Sequence, residues 1–215
     1  MNQTISKTLH DLGSKEVIVF TLKIALGALG LTLVPMGIFW NGFLDFIASY
    51  LSWIPWEWLQ TTGALVATFA LGYMLFIVLI TLFTSLYSET LLIRLAKKHY
   101  PNTPVIGQPT IAASIAVNAK ASIIFLILFI LFIPLLFVPV LGQIAMLYLW
   151  SVLIKEPTVY DVGSLFIKDR RIHKEKSKKA RTIALIASLF NYIPIVNIFA
   201  PIFAQILFLH HVLKD

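Results

Sequence analysis

The chain contains no cysteine, which excludes disulfides, zinc–thiolate centres and thiol catalysis. Acidic residues are missing from its two longest apolar runs, 17–39 and 61–85, where Lys23 is the sole charge. That argues against a proton relay of intramembrane carboxylates. Catalytic signatures are missing too: there is no Gly-x-Ser-x-Gly, His-Glu-x-x-His, Walker-type phosphate loop or Gly-x-Gly-x-x-Gly. Glu89, His99, Asp161 and His173 share no fixed spacing and are expected in loops. No enzyme activity and no cofactor is expected.

What the sequence does have is apolar mass. Of its 215 residues 59 % are hydrophobic, and the mean hydropathy is +0.87. A soluble domain is typically about 45–50 % apolar, so the bilayer is the expected solvent. The net charge of +7 is concentrated beside the apolar runs, above all in 155–181. There it orients spans and meets anionic headgroups. Lipid is the expected partner, and nucleic acid is not. The first sixteen residues are polar, and the run after them is too long for a signal-peptide core, so a retained span is expected.

Residues 17–39 make about 34 Å of helix and 61–85 about 37 Å, enough to cross a hydrocarbon core of about 30 Å. Gly27, Ala28 and Gly30 in the first run, and Ala64, Thr68 and Gly72 in the second, are small residues that let helices approach closely in lipid. Lys23 either snorkels to the headgroups or faces a polar vestibule. The stretch 40–60 has no Lys or Arg and holds four of the five tryptophans, which predicts an interfacial element on the outer face. Beyond the second run, Leu91, Leu92, Leu95 and Ala96 share a helical stripe opposite Arg94, Lys97 and Lys98. That pattern predicts an amphipathic helix flat on the cytoplasmic surface. Residues 100–109, with three prolines, read as a loop, and 110–119 as a mildly amphipathic helix.

The last third repeats itself. Residues 122–154 and 180–213 each read as an apolar arm, a break at aromatic-aliphatic-Pro, a Gly or Asn three residues on, and a second apolar arm. Pro139 aligns with Pro194, and Gly142 with Asn197. Proline ends the first arm and suits the first turn of the next, while Gly142 and Asn197 are candidates for the left-handed backbone of a reversal. The arm 122–136 gives about 22 Å of helix, short of a full crossing, so two hairpins joined by a basic cytoplasmic loop, 155–179, are expected, either partly inserted from the cytoplasmic face or crossing a locally thinned bilayer. Broken helices within a membrane mark solute paths, and helix N-termini attract anions. Pro139, Gly142, Gln143, Asn191, Pro194, Asn197 and Gln205 are thus candidate pore or hairpin-tip residues. The amides serve equally as glue between helices. His210 and His211, adjacent on a helix and about 100° apart, do not chelate together, and no metal ligand set is read from the sequence.

Phe-Val-Pro-Val-Leu-Gly at 137–142, Tyr-Ile-Pro-Ile-Val-Asn-Ile-Phe-Ala-Pro at 192–201, the two long runs, and Glu89 soon after the second resemble the CysZ-type sulfate permease family, which shares its domain with the etoposide-induced membrane proteins. The resemblance implies an all-α integral membrane fold in one domain, with two long transmembrane helices, two hemi-penetrating helical hairpins and amphipathic surface helices. It implies a homo-oligomer in the bacterial inner membrane, N- and C-termini cytoplasmic, that passes sulfate without ATP. The family's sulfate motif, Gly-hydrophobic-Arg-Arg before the first span, falls on Gly13, Ser14, Lys15 and Glu16. Serine replaces the hydrophobic residue and glutamate the second arginine, and Thr21 stands where the family has a proline. Gly13, Ser14 and Lys15 are the anion-binding residues the resemblance implies, and Lys23, from its place in the first run, is a further candidate. Two functions follow as expectations: a channel or permease for sulfate or a related oxyanion, passive or ion-coupled, or a non-transporting membrane protein supporting envelope assembly or membrane shape.

Overall fold

Nothing in the sequence stops the first apolar helix at residue 39, and it does not stop there. A computed structural model describes residues 2–136, 138–193 and 195–214. In it a short helix α1 (Asn2–Leu12) leads into α2 (Lys15–Tyr50), 36 residues and about 54 Å long. Phe43, Leu44, Phe46 and Ile47 carry the helix past Trp40, and the turn waits for the Ser52–Pro55 region. The expected tryptophan-rich interfacial element is thus divided. Trp40 sits within α2 with its ring 5.1 Å from Phe69, edge to face. Trp53 and Trp56 lie in the turn and Trp58 opens α3 (Glu57–Tyr87), all three exposed. Gln60 closes the turn by donating to the Ile54 carbonyl at 2.7 Å.

α2 and α3 pack along one face each. α2 buries Val17, Thr21, Ile24, Ala28, Thr32 and Met36, and α3 buries the expected Ala64, Thr68 and Gly72. A Cβ on Gly72 would stand 3.3 Å from Met36 Cε, so the small side chain sets the helix spacing. Gly30 faces open space, Gly27 is exposed but lies beside the Phe83 ring, 3.5 Å from where a Cβ would stand, and Ala28 is the buried member of the trio. The hydroxyls of Thr21, Thr32, Thr68 and Thr81 donate to carbonyls four residues back at 2.8–3.0 Å, which satisfies them inside apolar surroundings. The opposite faces leave Leu26, Leu33, Ile38, Val66 and Phe69 uncovered, as lipid-facing helices require.

α4 (Glu89–His99) has the expected stripe: Leu91, Leu92, Leu95 and Ala96 are buried while Arg94, Lys97 and Lys98 are exposed. Its apolar side is seated on protein, in a cluster with Val162, Leu165, Phe203 and Phe208. The loop after it is anchored by the Ile106 N–H on the Leu165 carbonyl at 2.9 Å. Beside that bond a Cβ on Gly107 would fall 2.6 Å from the Ser164 carbonyl oxygen. Backbone cannot yield as a flexible side chain does, so Gly107→Ala is expected to cost about 1–3 kcal/mol, measurable as a lowered thermal midpoint in detergent.

Both arms of the first hairpin are longer than the sequence reading. α5 runs Ile111–Leu136 and α6 runs Leu141–Phe166, 26 residues each and about 39 Å. The mildly amphipathic 110–119 segment joins the apolar arm as one helix, so shortness gives no reason for this hairpin to re-enter. The expected basic loop is also mostly helical: α6 continues through Pro157 to Phe166, followed by α7 (Arg170–Ser177). The second hairpin is much shorter. α8 (Ala180–Ser188) spans about 14 Å and leads through the 3-10 turns Leu189–Tyr192 and Val196–Phe199 into α9 (Ala200–Leu213), about 21 Å.

At both tips the reversal falls one residue after the aligned proline. Val140 has φ 68° and Ile195 φ 71°, and the Leu141 N–H donates back to the Pro139 carbonyl at 2.8 Å. Left-handed backbone at a β-branched residue is strained, yet it occurs at matching positions of both copies. Gly142 does not take this role; it is buried in the first turn of α6, and Asn197 lies in a 3-10 turn. Pro194 and Phe137 lie outside the described residues.

Every residue of α9 from Ala200 to His210 is buried, enclosed by α1, α3, α4, α6 and α8. A second apolar cluster joins Ile24 and Ala28 of α2, Ile77 and Ile80 of α3, Phe125 of α5 and Leu149, Trp150 and Leu153 of α6. Among the described residues there is no strand, and four helical segments are long and apolar enough to cross a membrane: α2, α3, residues 111–132 and residues 196–213. The protein is an all-α membrane protein.

Candidate functional site

The mouth of α2 forms a cleft of about 690 Å³ lined by Lys15, Glu16, Lys23, Tyr87, Thr90 and Arg94 over a floor of Val19, Phe20 and Leu91. Helix geometry builds it. Ser14 caps α2, its Oγ accepting from the Val17 N–H at 3.4 Å. Lys15, Val19 and Lys23 then recur every fourth residue along one face, and Thr90 and Arg94 do the same on α4. Arg94 Nη1 lies 2.8 Å from Glu16 Oε1. The glutamate that replaces the family's second arginine is thus neutralised by Arg94 of another helix. Among the described residues Lys15 and Lys23 form no ion pair, which leaves two cations lining the cleft. The Glu16–Arg94 pair is solvent-exposed, and such pairs hold by only about 0–1 kcal/mol, so an entering anion can draw Arg94 toward itself. Lysine, guanidinium and hydroxyl donors around an open space suit an oxyanion through charge-assisted hydrogen bonds.

Of the expected anion residues, Lys15 and Lys23 line this cleft. Ser14 acts at the helix cap, and Gly13 sits exposed in the α1–α2 link. Arg94, Thr90 and Tyr87 escaped the sequence reading. Arg94 was visible only as one of three cations on the polar face of α4.

The hairpin tips touch one another, since the Tyr192 hydroxyl donates to the Gln143 carbonyl. Pro139 and the Gln143 side chain are exposed. Asn191 and Asn197 line a groove of about 430 Å³ with Tyr73, Phe76, Tyr192, Ile195 and Ile198, and Asn197 Nδ2 donates to the Tyr73 hydroxyl. Beneath the groove, the crevice bounded by Ile80, Trp150, Leu153, Asn191 and Asn197 has no room for a water molecule.

Gln205 is not at the tip. It lies within α9 and donates through Nε2 to Asp161 Oδ2 at 2.7 Å, while Ser85 Oγ donates to Asp161 Oδ1 at 2.7 Å. Asp161, expected in a loop, is 1 % exposed and ties α3, α6 and α9 together. Glu89 and His99 likewise belong to α4 and His173 to α7, because the helices run on where polar residues enter the sequence. His210 and His211 point apart as expected, His210 toward Asp11 and His211 toward Thr4, Lys179 and Ile183.

Two long membrane helices, a repeated hairpin with strained tips, and a cationic cleft beside the first span define a helical membrane protein. The chain matches the family described as Sulfate transporter CysZ/Etoposide-induced protein 2.4 over residues 4–201, and it belongs to that family. No curated protein and no solved structure gives a significant match.

Proposed function

We propose that the protein is a membrane channel or permease for sulfate or a related oxyanion, passive or ion-coupled and independent of ATP. The convergence of Lys15, Lys23 and Arg94 in one cleft at the mouth of the first span carries this reading, and family membership supports it. The cleft opens on the side of the basic loops and surface helices, so it faces the cytoplasm under the positive-inside rule. That orientation puts both termini in the cytoplasm and suits residence in a bacterial inner membrane as a homo-oligomer. The dry crevice beneath the hairpin tips supports a route that avoids this part of the chain's interior and runs along a seam between copies.

The same dry crevice favours a second reading, a non-transporting protein whose short second hairpin acts as a wedge in one leaflet. Radiolabelled sulfate uptake into proteoliposomes separates the two. Uptake clearly above empty vesicles is expected. A folded, inserted sample that takes up no more than empty vesicles leaves the second reading standing and removes the first.

A further inference from the structure

Three side chains that no sequence spacing connects meet in one buried spot. Asp11 comes from the last turn of α1, His99 from the end of α4 and His210 from the last turn of α9. Asp11 Oδ2 lies 2.8 Å from His99 Nε2 and 3.0 Å from His210 Nε2. The side chains of Asp11 and His210 are fully buried, and that of His99 is 18 % exposed. One ligand atom from each residue lies within 4.8 Å of the other two. We propose that this trio binds one divalent transition ion of the zinc class through two imidazole nitrogens and one carboxylate oxygen, with the fourth position open.

The donor set and its spacing fit such an ion. Zinc bonds to histidine nitrogen and carboxylate oxygen are about 2.0–2.2 Å, which places tetrahedral ligand atoms about 3.3–3.5 Å apart. The two Asp11–histidine pairs need to open by only about half an ångström to reach that spacing. In the present arrangement protons on the imidazole nitrogens bridge to the carboxylate; the ion takes their place at Nε2, and the proton of the His210 ring then sits on Nδ1, facing Tyr100 Oη. An outer partner is already set: Tyr100 Oη lies 3.1 Å from His210 Nδ1, which aims Nε2 at Asp11 as metal-binding histidines require. Asp11 already accepts from His99, Lys98 and His210 through both carboxylate oxygens, so its oxygens are oriented toward the spot the ion would take. Lys98 Nζ, 3.0 Å from Asp11 Oδ1 and 52 % exposed, is free to swing into solvent when an ion arrives. The bound ion would fasten α1 to α4 and α9.

The test uses the full chain without a polyhistidine tag, purified in detergent and stripped with chelator. Titration with Co²⁺ is expected to give four-coordinate ligand-field absorption that saturates at one equivalent and is bleached by Zn²⁺. Zn²⁺ is also expected to raise the thermal midpoint. His99→Gln, which retains a donor for Asp11, should weaken binding by about 100-fold or more. Tyr100→Phe, which touches no ligand atom, should weaken it by about tenfold, and His211→Gln should leave it unchanged. Absence of saturable absorption at one equivalent in the wild-type chain overturns the proposal whatever the variants do. Equal affinity in His99→Gln overturns it as well.

Discussion

Sulfate uptake is expected to fall at least about tenfold, roughly 1.4 kcal/mol, when Lys15 and Lys23 are both replaced by glutamate. At roughly 6 Å in water a dianion and one lysine attract by about 1.4 kcal/mol. Reversing two such charges changes the balance by about four times that before ionic screening, whose length is about 10 Å at 0.1 M salt. Screening reduces the effect without abolishing it, so the loss should shrink as salt rises. Neither lysine is buried, and the double variant should therefore fold normally. Lys97→Glu, on the neighbouring surface helix α4 but outside the cleft, is the control and should transport like the wild type. Equal flux in the double variant and the control would remove the cleft from the transport path.

The largest expected effect on stability comes from Asp161→Ala. That change strands two buried donors, Ser85 Oγ and Gln205 Nε2, each now 2.7 Å from a carboxylate oxygen. A buried polar group left without a partner costs about 1–3 kcal/mol, so a loss of about 2–4 kcal/mol is expected. For a chain of this size that lowers the thermal midpoint by about 4–16 °C. Asp161→Asn keeps the shape and one acceptor and should lose less. If the alanine variant melts with the wild type, the three-helix tie contributes nothing to the fold.

The difference between what the sequence reveals and what it hides is physical. The stripes Ala64–Thr68–Gly72 and Leu91–Leu92–Leu95–Ala96 were legible because helical periodicity alone decides which side of a helix is buried. The end of α6 was not. Lys155, Glu156 and Asp161 interrupt the apolar pattern and read as loop, whereas Ser85 and Gln205 solvate Asp161 within the protein and let the helix continue. Propensity assigned the strained turn to Gly142 and Asn197, whereas it falls on Val140 and Ile195, each exposed and each the residue after the aligned proline. The cleft was half legible, because a local motif points to Lys15 and nothing local shows that Arg94 faces it. Asp11, His99 and His210 were invisible as a group, since residues that far apart are brought together only by the complete packing of α1, α4 and α9.

The placement of α9 also fixes an order of events during synthesis. Its walls come from helices that precede it in the chain, so the ribosome delivers every wall before the element that fills the space between them. Until residues 200–213 emerge, the nascent protein must either hold an apolar hollow open or collapse into it and later be pried apart. Assembly inside the membrane is therefore completed by one late insertion, and a ribosome stalled shortly before residue 200 would leave the greasy interior exposed to chaperones and proteases.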